Sequence, residues 1–136
     1  MKREPLQAAW EIALGDLRRR HPELVDLKSY RQAFRNAAAQ VVARAHTRGL
    51  GALPSNSASD EARVLAVRTA KAALAFHPQW RDEAHGDCAL AGSFAALKLL
   101  QGDGLSVAEL QRQLQGLAFH FVRSTPSAAT RRIMSL

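Results

Sequence analysis

The amino-acid sequence predicts an all-α fold, a single-domain bundle of five to six helices, and three observations carry that prediction. Apolar residues fill 47% of the 136 positions but aromatic ones only 6%, and alanine is abundant while β-branched residues are few, which favours helix over strand. Leucine, alanine and aromatic residues recur at spacings of three and four in one segment after another, the period of a helix face. Glycine, proline and short polar clusters punctuate those segments where helices would end. A chain of this length encloses one core, burying roughly two-thirds of its unfolded surface. The expected division is a bundle over 1–123 and a tail over 124–136, either a short docking helix or a frayed end.

Over residues 5–20, Leu6, Trp10, Leu14 and Leu17 fall at spacings of four, four and three, so one helix buries that stripe. Pro5 suits its first turn, and Arg18, Arg19 and Arg20 close its last, where cations complement the carbonyl end of the dipole. A second helix runs from 28 or 29 to 48, stopped by Gly49 and Gly51, with Tyr30, Phe34, Ala37, Val41 and Ala45 inward. Its outward back reads Gln32, Asn36, Gln40, Ala43 and Thr47. Residues 49–59, with Pro54 among serines, form a loop, and Ser59 or Asp60 caps a third helix ending near Phe76, before His77-Pro78. That helix carries Leu65, Ala72 and Phe76 on one line and Val67, Ala70 and Leu74 on the opposite one, so it belongs in the middle of the bundle.

Residues 79–86 are polar, carry Trp80 and read as a connector with a helical turn at most. The following stretch over 88–101 has almost no polar face, and the segments 60–76 and 88–101 are therefore expected at the centre. That stretch is too short to cross a bilayer, which takes about 20 residues. Gly102-Asp103-Gly104 marks a turn, and Ser106 followed by Glu109 is the capping-box pattern opening a last helix with Leu110, Leu114, Leu117 and Phe121 on one face. Phe119 points roughly 160–180° from that line and needs a second covering surface, from the tail or from a partner.

Charge narrows the partner classes. Nineteen Lys and Arg against twelve Asp and Glu leave a formal net charge of +7. Between Asp26 and Asp60 there is no acidic residue, yet that stretch holds Lys28, Arg31, Arg35, Arg44 and Arg48. A surface so biased attracts polyanions. On the helical wheel Lys28, Arg31 and Arg35 border one side of the buried stripe and Arg44 and Arg48 the other, so they do not make one band. The expected role is a non-enzymatic module that engages a nucleic-acid backbone without base specificity, alone or as a subunit of a nucleoprotein complex. Those five residues carry it, with Arg18, Arg19, Arg20 and the Arg131-Arg132 pair as reinforcement. The alternative is a protein-interaction or regulatory subunit that uses Phe119, Trp80, Ile133 and Met134, its basic surface matching an acidic partner. No cofactor, metal or membrane partner is expected. The start Met1-Lys2-Arg3-Glu4-Pro5, followed by an amphipathic segment, and the single Cys88 lead us to expect a soluble, cytoplasmic chain.

Three motifs bear on chemistry. Gly86-Asp87-Cys88-Ala89-Leu90 resembles the nucleophile turn of papain-like and calpain-like cysteine hydrolases, in which a cysteine opens a buried helix. That resemblance implies a thiolate favoured by the helix N-terminus and cysteine hydrolysis at Cys88. The family also uses a histidine on a β-strand with an orienting polar side chain; His120 here falls on a helix, and His85 precedes Cys88 by three residues. A small structural thiol is the other reading. His85 and Cys88 make one close ligand pair where a structural zinc site uses two, and Gly102-Asp103-Gly104 lacks the lysine and hydroxyl of a phosphate loop. Residues 106–117 resemble the first helix and turn of a helix-turn-helix reader, but Gln115 separates Leu114 from Gly116 and the next segment, Ala118-Phe119-His120-Phe121-Val122, is apolar. A continuous helix through Gly116 is expected instead.

Overall fold

The computed structural model of the protein describes residues 4–123, with side chains as far as 117. Among them are five α-helices and no strand: α1 (Pro5–Arg20), α2 (Lys28–Arg48), α3 (Asp60–Ala75), α4 (Glu83–Leu97) and α5 (Val107–Arg123), forming one bundle. A 3-10 turn, Leu50–Ala52, follows α2, and a π turn, Lys98–Gly102, continues α4. Helix α5 runs unbroken through Gly116, without the turn of a helix-turn-helix motif. No helix among the described residues is long and apolar enough to cross a membrane.

The starts of α3, α4 and α5 are set by short polar side chains. Ser59 Oγ accepts the amide N–H of Ala62 at 3.1 Å, and Ser106 Oγ accepts that of Glu109 at 3.1 Å. The Glu109 carboxylate takes hydrogen bonds from Arg112 and Gln113. Helix α1 has no side-chain cap of its own; the Leu6 N–H donates instead to Oε1 of buried Gln113 on α5, at 3.0 Å. An uncapped first-turn donor inside a core loses its water, so this one contact both satisfies the start of α1 and docks it on α5. Gly49 stops α2 at φ 86°, a conformation that residues with a Cβ rarely adopt.

Helices α2 and α4 form the centre. Helix α2 packs against all four others, and α4 against α1, α2 and α3. They cross where Gly92 faces Phe34: a Cβ at position 92 would lie 2.0 Å from the Phe34 carbonyl oxygen, so only glycine permits the approach. Around the crossing, Leu6, Trp10, Phe34, Val41, Leu97 and Leu110 are fully buried, and Trp10 meets Phe34 edge-on at 5.4 Å. The hydroxyls of Thr69 and Ser93, 2.7 Å apart, satisfy each other between α3 and α4, with Thr69 also bonding the Leu65 carbonyl at 2.9 Å.

Three sequence expectations change here. Helix α3 is a flank, because its principal neighbours are α2 and α4 alone and they cover only one side of it. Both expected apolar lines therefore split: Leu65 and Ala70 are buried, but Val67 of the second line is 36% exposed and Phe76 of the first 74% exposed, and Val64 beside them is 57% exposed. Helix α2 takes the central place instead, so its polar back is half-covered, with Gln32 donating to Asn36 at 2.9 Å. Finally, α4 begins at Glu83, inside the expected connector, since Asp82 caps it and the buried His85 finds polar partners.

Candidate functional site

The cations of α2 do not assemble into one surface. Lys28 and Arg48 are exposed at opposite ends of the helix, about 30 Å apart at 1.5 Å per residue. Between them, Arg31 is half-buried with its guanidinium 5.6 Å from the Trp10 ring centre, a cation–π contact inside the protein. Arg35 donates from Nε to the Leu114 carbonyl at 3.0 Å and so ties α2 to α5. Burial lowers the pKa of both guanidiniums, opposed at Arg31 by the Glu11 carboxylate. Both stay charged, but each is held against the fold, Arg31 by the Trp10 ring and Arg35 by the Leu114 carbonyl. Of the triplet closing α1, Arg19 pairs with Asp16, Arg20 lies 3.3 Å from Asp87, and Arg18 is exposed.

A more coherent basic surface lies on α3. Positions 64, 67, 68, 71 and 75 share the face turned away from α2 and α4, and Val64, Val67, Arg68, Lys71 and Ala75 are all exposed there, with Arg63 at the edge. None of Arg63, Arg68 and Lys71 forms an ion pair among the described residues. On one flank an open groove of about 450 Å³ is walled by Arg68 and Val64 of α3, Arg44 of α2 and Pro54 of the loop, with Asp60 and Glu61 at its α3 end. On the other flank a hollow of about 320 Å³ lies between Lys71 and Leu74 of α3 and Pro78, Trp80 and Arg81 of the connector. Three apolar positions thus share roughly 16 Å of helix, from 64 to 75, with two free cations. Sequence reading passed over this face because it followed the acid-free run and assigned Val67 to the core.

Trp80 is 8% exposed, so it is a packing residue rather than a projecting one. It belongs to a column of four rings: Tyr30 on His85 at 4.0 Å, His85 on Trp80 at 5.2 Å, and Trp80 on His77 at 3.7 Å. His85 Nδ1 bonds the Asp82 carboxylate and His85 Nε2 lies 2.8 Å from Ser29 Oγ. Neither Ser29 nor Asp82 stood out in the sequence, because the three residues meet only when the starts of α2 and α4 do. Phe119, Ile133 and Met134 lie outside the residues whose side chains are described.

Cys88 sits in the second turn of α4, past the free N–H groups, since the helix starts at Glu83. It is buried, and burial first, then the Asp87 and Asp82 carboxylates, push its thiol up to about 12. That environment opposes the thiolate which the cysteine-hydrolase resemblance implies. Cys88 forms part of the wall of a cleft of about 240 Å³ between α1 and α4, which Arg20, His21 and Asp87 also line. Among the described residues no three His, Cys, Asp or Glu side chains converge as a metal site would require.

The chain matches no protein-family model, no curated protein and no solved structure.

Proposed function

We propose that the protein is a docking module whose α3 face receives an acidic, amphipathic segment of a protein partner. The observation that carries this reading is the exposure of Val64 (57%) among Arg63, Arg68 and Lys71, cations that no carboxylate of the described residues neutralises. Apolar side chains left in water favour burial, and free cations beside them select a segment of opposite charge. The flanking groove and hollow accept side chains from such a segment. A patch of this size suits a weak or transient contact rather than a permanent assembly.

Engagement of a nucleic-acid backbone is the second reading, favoured by the formal net charge of +7. It would draw on Arg44, Arg68 and Lys71 rather than on the α2 cations that face inward.

Fluorescence anisotropy separates the two. The probes are a labelled acidic amphipathic helical peptide, a scrambled peptide of the same composition, and single-stranded RNA and duplex DNA of similar charge. Docking predicts micromolar binding of the amphipathic peptide over the scrambled one, weakened about tenfold or more by Val64→Asp, as for a central interface residue. It also predicts a loss on Arg68→Glu/Lys71→Glu. Nucleic-acid binding with a steep salt slope, indifferent to Val64→Asp, would establish the second reading in its place.

A further inference from the structure

Asp82, His85 and Ser29 form an unbroken hydrogen-bond chain across the junction of α4 and α2. Asp82 caps α4: one carboxylate oxygen accepts the His85 amide N–H at 3.3 Å, and the other meets His85 Nδ1. Burial alone would raise the Asp82 pKa, but the hydrogen bonds to His85 outweigh it and the net direction is down. An ionised carboxylate only accepts, so Nδ1 carries the proton. In the neutral imidazole Nε2 is then the acceptor for the Ser29 hydroxyl at 2.8 Å. The imidazole cannot easily rotate, since Tyr30 stacks on one of its faces at 4.0 Å and Trp80 lies parallel to it at 5.2 Å. A capping role for Asp82 accounts for the first link of this chain. It does not account for the serine on the far nitrogen or for the aromatic clamp that fixes the ring.

Ser29 is the second residue of α2 and is only half-buried. First-turn amides of a helix lack intrahelical acceptors. The Lys28 N–H is taken by Asp26 at 3.2 Å, whereas those of Ser29 and Tyr30 have no acceptor among the described residues. The Ser29 hydroxyl, in contact with an imidazole nitrogen, thus belongs to a helix first turn whose next two N–H groups are not taken up within the described residues, at the positive end of a helix dipole.

We propose that Ser29, His85 and Asp82 constitute a serine acyl-hydrolase centre acting on carboxylic esters. Ser29 Oγ attacks the ester carbonyl carbon as its proton passes to His85 Nε2, and the carbonyl π pair moves to oxygen, where the Ser29 and Tyr30 N–H groups receive it. The oxyanion re-forms the carbonyl, the bond to the alkoxy oxygen breaks, and that oxygen takes the proton from Nε2. Water then attacks acyl-Ser29, gives its proton to Nε2, and the collapse returns that proton to Ser29 Oγ and releases the carboxylic acid. Asp82 stays ionised throughout and holds the imidazolium through Nδ1. Esters are the fitting class because an alkoxide leaves more readily than an amide ion, so ester cleavage asks only for the proton relay and anion donors present here. This centre lies apart from the α3 face and stands independently of the docking reading.

The test combines p-nitrophenyl acetate turnover with fluorophosphonate labelling followed by intact-mass and peptide mapping. The wild-type chain is expected to carry one adduct, on Ser29, and to hydrolyse the ester above the rate of Ser29→Ala. Asp82→Asn keeps a competent helix cap, because asparagine caps as well as aspartate, but reverses the tautomer preference. It is expected to slow acylation by roughly 10³- to 10⁴-fold with unchanged helical circular dichroism. A merely structural latch would leave no adduct. An unlabelled Ser29 in the folded wild-type protein, or hydrolysis equal in wild type and Ser29→Ala, overturns the proposal.

Discussion

Replacing Gly92 by alanine should set two opposing effects against each other, and the structure says which wins. Alanine in a helix interior is favoured over glycine by about 1 kcal/mol. At position 92, however, the new methyl would stand 2.0 Å from the Phe34 carbonyl oxygen, 2.8 Å from its carbon and 3.0 Å from its Cα. Ordinary contact begins near 3.4 Å, so α2 and α4 must separate by about 1.4 Å at their crossing. The obstacle is backbone in the middle of the most embedded helix, and no rotamer change can relieve it. Overpacking costs about 1–3 kcal/mol where side chains can adjust and more where they cannot. We take roughly 3–5 kcal/mol here, leaving a net loss of about 2–4 kcal/mol after the propensity gain. For a chain of this size that lowers Tm by roughly 8–16 °C. Urea and thermal unfolding followed by circular dichroism measure it. Gly15→Ala in α1 is the internal comparison, since nothing lies within 4 Å of its added methyl, and it should stabilise by about 0.5–1 kcal/mol. A Gly92→Ala protein as stable as the wild type would refute the close approach of α2 and α4 on which the bundle is built.

Two further outcomes follow from the titratable groups. With its thiol pushed up to about 12, Cys88 should react with a disulfide reagent at neutral pH at least about 10³-fold more slowly than an ordinary thiol, and at the ordinary rate once urea unfolds the chain; fast labelling of the folded protein would contradict its burial. Hydrogen bonds from Arg112 first, then from Gln113, hold the exposed Glu109 carboxyl at about 2, below its unfolded value near 4.3. Its contribution to stability is therefore full above about pH 4.3 and disappears as the pH falls through about 2, with Asp82 shifted in the same direction. Glu109→Gln should flatten the fall of the urea midpoint across that window, and parallel profiles for variant and wild type would count against the Glu109 to Arg112 pairing.

Local structure was well encoded along the chain. The bounds of α1 and α2, the Ser59 cap, the inward stripe from Tyr30 to Ala45 and the continuous helix through Gly116 all follow from periodicity and end signals, which act over a few residues. Periodicity failed where a helix has two apolar lines, because it reports which faces avoid water and is silent on how many neighbours arrive to cover them. Val67 and Phe76 of the α3 segment stayed in solvent for that reason. It failed again at Glu83, where a buried histidine disguised a helix start as a polar connector.

The candidate sites were less legible than the fold. The acid-free run was real, yet Arg31 and Arg35 were drawn inward by Trp10 and by the Leu114 carbonyl, contacts between residues distant in sequence. Composition and spacing by themselves determined that this chain is helical, basic and built on small side chains, because those properties depend on each residue and its near neighbours. Only the tertiary structure decided that α2 rather than α3 lies at the centre, that Arg63, Arg68 and Lys71 stand free, and that Ser29 reaches His85. Those outcomes depend on which helices lie side by side, and that was settled by close packing at Gly92 and Phe34, which no local pattern records.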